Sequence, residues 1–138
     1  MPETKGLRYE VVDVFAEAPY AGNPLAVFRG GAGLETDRLQ AIAREMNLSE
    51  TTFVLHDQAR DSAFDVRIFT PGSELPYAGH PTLGTAFVIR NALLGGAADE
   101  LVLRLGVGLV RVRFARDGLV WLTTPRATFA KAPEPSAV

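Results

Sequence analysis

No cysteine occurs in the 138 residues of this chain. That absence removes disulfides, thiolate zinc sites, iron–sulfur clusters and every thiol nucleophile or thiol acid/base, so any catalysis must come from oxygen or nitrogen groups. Histidine is scarce as well. His56 and His80 are the only two, lie far apart and form no His-x-x-x-His spacing, so no metal site is expected. An excess of charge of one sign is also missing: 14 Lys and Arg stand against 16 Asp and Glu, a formal net charge of −2. Nothing in the bulk electrostatics draws nucleic acid or an anionic membrane, and neither is expected as a partner. No apolar run is long enough for a signal peptide or a membrane span, which makes the cytoplasm the expected location. Phosphate-loop chemistry is absent too. Gly30-Gly31-Ala32-Gly33 lacks both the Lys-Ser/Thr pair and the Gly-x-Gly-x-x-Gly spacing and reads as a plain turn, and Ser73 has no glycine two residues on, as a nucleophile elbow needs.

What is present describes a folded domain. A hydrophobic share of 47% with 22% charged residues is the balance of a globular protein, and the length fits one core. Leu7 to Phe15 and Leu25 to Phe28 read as strands on either side of a Pro/Gly-rich loop. Leu39, Ile42, Ala43 and Met46 then recur at helical spacing, with Thr36 as N-cap and Asn47 as stop. Thr51 to Leu55 and Phe64 to Phe69 are β-prone, and residues 70–81 are too broken by Pro and Gly for regular structure. From Pro81 to about Leu94 the chain is apolar nearly all round, the mark of a buried helix stopped by Gly95-Gly96. Leu101 to Leu105, Leu109 to Ala115 and Leu119 to Thr123 read as strands, the last two joined by an Asp117-Gly118 turn. Arg104, Arg111, Arg113 and Arg116 fall at alternating positions there, as on a solvated strand face. The fold class is α+β: a mostly antiparallel sheet with one amphipathic helix outside it and one apolar helix that only a curved sheet could enclose. The domain is assigned to residues 1–129 and a Pro-rich tail or linker to 130–138.

Two segments place polar residues at joints between elements. In Asn47-Leu48-Ser49-Glu50-Thr51-Thr52 a carboxylate sits at a helix-to-strand junction. Drawn inward and desolvated, Glu50 would be a general acid/base near neutral pH; left outside, it is a solvated loop residue. In Glu74-Leu75-Pro76-Tyr77-Ala78-Gly79-His80-Pro81-Thr82 a glycine lets backbone approach a ligand at a helix start whose free N–H groups suit an anion, with His80 beside it. The alternative is a structural turn. His56, beside Asp57 in a loop, is assigned no role.

These segments, with Asp13-Val14-Phe15, Gly22-Asn23-Pro24-Leu25-Ala26-Val27-Phe28 and Arg67-Ile68-Phe69-Thr70-Pro71, resemble the N-terminal domain of the PhzF-like isomerases of phenazine biosynthesis from about Arg8 to Pro125. The resemblance implies a fold of two similar domains, each a rolled, barrel-like antiparallel sheet around a central helix, with the active site in the cleft between them. It implies proton transfer on a small cyclic carboxylic acid such as trans-2,3-dihydro-3-hydroxyanthranilate, with neither cofactor nor metal. By the same match Glu50 is the acid/base and His80 the second catalytic residue, while Ser49, Gly79, Asn23, Pro81 and Thr82 line the substrate. Relatives of similar fold, such as diaminopimelate epimerase, use paired cysteines, which this chain lacks. The family's second domain faces the Glu with an Asp and a Thr-Gly-Ser type segment. The expected partner is therefore a second copy, as a homodimer, or another PhzF-like domain. A half-open cleft would leave Glu50 solvated. The alternative function is a domain without catalysis that binds a small carboxylate or a protein partner.

Overall fold

In the computed structural model, residues 6–133 are described. The opening Val-rich run forms β1 (Arg8–Val14), antiparallel to β2 (Asn23–Arg29). Gly22 makes the turn into β2 possible. A β-carbon there would lie 2.5 Å from the Val14 carbonyl oxygen, and the Gly22 N–H donates to the Asp13 carboxylate at 3.0 Å. A single 3-10 turn over Gly31–Gly33 leads into α1 (Thr36–Met46), which ends at Asn47 in the left-handed region, φ 53. The cap at the other end differs from expectation: Glu35, not Thr36, holds the N-cap position, without a side-chain cap bond. The Thr36 hydroxyl instead accepts from Arg67 Nη2 at 3.0 Å.

β3 (Thr51–Val54) runs parallel to β2 and antiparallel to β4 (Phe64–Phe69). The segment expected to be irregular holds a two-residue strand, β5 (Glu74–Leu75), on the edge of β4. It also holds the start of α2 (Gly79–Ala92), two residues before Pro81, because the third position of a helix needs no N–H of its own. β6 (Glu100–Leu105) is parallel to β4, and β7 (Gly108–Phe114) and β8 (Val120–Leu122) complete the expected hairpin. Arg116 lies past the end of β7, outside the alternating arginine row, in which Arg104 pairs with Asp65 at 2.6 Å and Arg111 with Glu100 at 2.9 Å.

The strand order is β1-β2-β3-β4-β6-β7-β8, with β5 on β4. This is the expected α+β class: a mostly antiparallel sheet curled about α2, which touches β1, β2, β3, β6 and β8. Strand alternation divides the core in two. Leu25, Val27 and Val54 face α2, while Ala26, Phe28, Phe53 and Phe69 face α1 with Leu39 and Ala43. α2 approaches β1 and β2 closely because Gly84 has no side chain: a β-carbon there would stand 2.7 Å from Leu25 Cδ2 and 2.8 Å from Val14 Cγ2. Burial of α2 is not all round. Phe87 is 46% exposed and, with Phe15, Leu83 and Leu119, borders a groove of about 460 Å³ where β1 and β8 do not meet. Residues 130–133 carry neither helix nor strand, and the remainder of the expected tail, 134–138, lies outside the described residues. No helix among the described residues is long and apolar enough to cross a membrane.

Candidate active site

Parallel pairing puts the starts of β2 and β3 at the same end of the sheet, with Ala26 opposite Thr51. Alternation then decides direction. Asn23 shares the face of Leu25 and Val27, and Glu50, just before β3, shares the face of Thr52 and Val54, so both turn toward α2. The N-terminus of α2 reaches that same end and brings His80. Its Nε2 lies 3.4 Å from Glu50 Oε2, and its Nδ1 lies 3.4 Å from Asn23 Nδ2. Ser49 Oγ donates to Asn23 Oδ1 at 3.2 Å. Four of the residues singled out in the sequence thus form one connected group.

The group is drawn inward. The Glu50 side chain is only 18% exposed and that of His80 10%, so the solvated Glu50 expected of a half-open cleft is not what the fold provides. Glu50 Oε2 and His80 Nε2 are both buried without a properly formed hydrogen bond. Burial holds the His80 pKa below its ordinary value of 6.5, and the negative Glu50 only partly opposes this. The imidazole is therefore neutral at neutral pH.

At the helix start no side chain caps Ala78, and Pro81 brings no N–H, so the N–H groups of Gly79 and His80 are the donors offered there. A β-carbon on Gly79 would meet nothing within 4 Å, so open space lies beside those donors. Thr82 and Pro81 sit differently. Both are buried within the first turn, and the Thr82 hydroxyl is committed to the Ala78 carbonyl at 2.7 Å.

One element of the site escaped sequence reasoning. Thr52 and Thr85, both wholly buried, share a 2.7 Å hydrogen bond that ties β3 to α2. Thr52 is two residues beyond Glu50 on the same strand face, and Thr85 is in the helix that carries His80. A threonine at that strand position was the available signal. His56 sits apart, with Nε2 at 2.9 Å from Arg60 Nη1. Among the described residues no group of three or more His, Asp or Glu is placed to hold a metal ion.

A family profile described as phenazine biosynthesis-like protein matches residues 12–136. Trans-2,3-dihydro-3-hydroxyanthranilate isomerase of Pseudomonas aeruginosa is 49% identical over 116 residues, which cover 82% of this chain and 40% of that protein. A crystal structure of a phenazine biosynthesis protein of the PhzF family from Enterococcus faecalis superposes with a TM-score of 0.71 at 35% identity, over 80% of this chain and 41% of that one. A hydroxyproline epimerase from Agrobacterium vitis, at 19% identity, shares the fold alone, with a TM-score of 0.56 over 83% of this chain and 41% of that one. The chain spans about two fifths of the length of these relatives.

Proposed function

Because this chain belongs to the family of phenazine biosynthesis-like proteins, we propose that it is the Glu50-bearing half of an isomerase that moves a proton between carbons of a small cyclic carboxylic acid, of the trans-2,3-dihydro-3-hydroxyanthranilate kind. The observation that carries the reading is the buried approach of Glu50 Oε2 to His80 Nε2, 3.4 Å, at the open start of α2. The substrate carboxylate sits on the Gly79 and His80 N–H groups. Glu50 removes a proton from one ring carbon, and the electron pair left behind moves through the adjacent unsaturation. The same carboxyl group then returns the proton to a second carbon, with no net change in the enzyme. Neutral His80 shields the pair from water, and the chemistry calls for neither a cofactor nor a metal.

The facing half of the cleft belongs, on this reading, to a second domain of the same kind, and a second copy of this chain is one source of it. Glu50 and His80 occupy one open end of a single rolled sheet, and the relatives are longer. Two measurements test this. Light scattering of the purified chain should give a dimer, or a monomer that pairs with a second such domain. In the assembled protein, Glu50→Gln should remove isomerisation of trans-2,3-dihydro-3-hydroxyanthranilate while the circular dichroism spectrum stays unchanged. Turnover that survives in that variant would overturn the reading.

A further inference from the structure

We infer that Asn23 is a positioning residue that sets the tautomer of His80, holding its single ring proton on Nε2 against Glu50. The polarity follows from what each partner can do. A carboxylate only accepts hydrogen bonds, so a bare Nε2 lone pair would leave two acceptors 3.4 Å apart in a buried spot with no donor between them. Nε2 must therefore carry a hydrogen. The depressed proton affinity of His80 keeps the ring neutral, which leaves Nδ1 as an acceptor. The atom opposite Nδ1 must then be a donor, and Asn23 presents its Nδ2 there at 3.4 Å. With Nδ2 so turned, Asn23 Oδ1 needs a donor of its own, and the Ser49 hydroxyl supplies it at 3.2 Å.

The chain of donors thus runs one way, from Ser49 through Asn23 and His80 to Glu50. Turning the Asn23 amide over would reverse it and leave Nε2 bare toward the carboxylate. Asn23 thus has a protein partner at each end of its amide. In the catalytic reading above, on which this consequence rests, His80 fixes Oε2 and leaves Oε1 as the oxygen that takes the proton.

His56 makes the assignment measurable, because its surroundings dictate the opposite tautomer. Arg60 can only donate, so His56 Nε2, 2.9 Å from Arg60 Nη1, is the acceptor and a neutral His56 carries its proton on Nδ1. With only two histidines in the chain, a long-range proton–nitrogen correlation spectrum of the 15N-labelled protein, at a pH well above 6.5, should show two rings of opposite pattern. His56→Gln assigns them by removing one. Asn23→Ala should turn the His80 pattern into a mixture of tautomers. Asn23→Asp should protonate Nδ1 and abolish its acceptor-type signal. Ser49→Ala, at an exposed position, should produce a smaller shift of the same kind and keeps the test open if the Asn23 variants do not fold.

A His80 protonated on Nδ1 in the unaltered chain would overturn the inference. So would an Nε2 pattern that none of these substitutions moves. No substrate enters the experiment, so it is independent of the activity. If Asn23 sets the tautomer but Glu50→Gln leaves turnover intact, the function fails and the positioning role stands.

Discussion

Two polar pairs lie on opposite faces of the sheet, and they are built to different standards. Arg67 grips Glu74 through Nε and Nη2 at 2.8 and 2.7 Å, adds the Thr36 hydroxyl, and lies 5.3 Å from the centre of the Phe69 ring. Its donors are matched, and solvent reaches both side chains, 27% and 38% exposed. His80 and Glu50 are more deeply buried, yet meet at 3.4 Å with buried atoms left without a formed hydrogen bond. An unsatisfied polar contact in a buried place costs stability, and the fold retains it at the open start of α2. The first pair is architecture. The second keeps unspent hydrogen-bonding capacity beside the open start of α2.

Removal of the carboxylate should have the largest effect. A positioned acid/base contributes roughly 10²–10⁴-fold to rate. Glu50→Gln should therefore lower turnover of the assembled protein by about that factor, with the denaturant midpoint unchanged or raised. A loss of stability larger than the loss of rate would make Glu50 a structural residue. Along α2 the same contrast separates two glycines. Gly84→Ala forces a methyl group against Leu25 and Val14, 2.7 and 2.8 Å away, and should destabilise the fold by about 1–3 kcal/mol. Gly79→Ala meets nothing. It should leave thermal unfolding where it is and weaken binding of a carboxylate ligand by filling the space beside the helix start. Equal loss of stability in the two variants would contradict the open space at Gly79.

The sequence made much of this legible for physical reasons. The apolar helix had to be enclosed, alternation in Phe64 to Phe69 had to make a strand, and Glu50 and His80 stood at joints where a regular face could not explain them. The family motifs then put both in one site. Other features depend on contacts distant in the chain. Thr36 enters the helix as its first residue, one past the N-cap, and its hydroxyl goes to Arg67, 31 residues on. β5 forms only because β4 offers it an edge, and the exposure of Phe87 reflects the gap between β1 and β8, which no local pattern encodes. The link between Thr52 and Thr85 is of the same kind, a contact across 33 residues.

That buried pair is satisfied where Glu50 and His80 are not. Thr52→Val or Thr85→Val alone strands the other hydroxyl at zero exposure and should cost about 1–3 kcal/mol. Replacing both should cost less than the sum, since no orphan remains. Strict additivity in urea unfolding would mean that the 2.7 Å contact contributes nothing. A pH effect of smaller size follows from His80. Burial lowers its proton affinity in the folded chain, so the unfolded chain binds the proton more readily and stability rises with pH. The His80 contribution is complete above about 6.5 and is lost as the pH falls from there to the lower folded value. His80→Asn should flatten that part of the stability profile, and an unaltered slope would show that the proton goes elsewhere.

The smallest effect belongs to the better-made pair. Arg67 and Glu74 are partly exposed, and ion pairs in such places contribute about 0.2–1 kcal/mol. Glu74→Gln should therefore cost no more than that. Arg67→Ala should cost somewhat more, because it also gives up the Thr36 hydrogen bond and the stacking over Phe69. Neither should move the His80 nitrogen signals, since Arg67 and Glu74 make no contact with His80, Asn23 or Glu50. If breaking the well-satisfied pair changed the His80 tautomer or the turnover as strongly as Glu50→Gln, the two pairs would be parts of one network. The incomplete bonding at His80 would then be a consequence of the fold as a whole and no mark of a site.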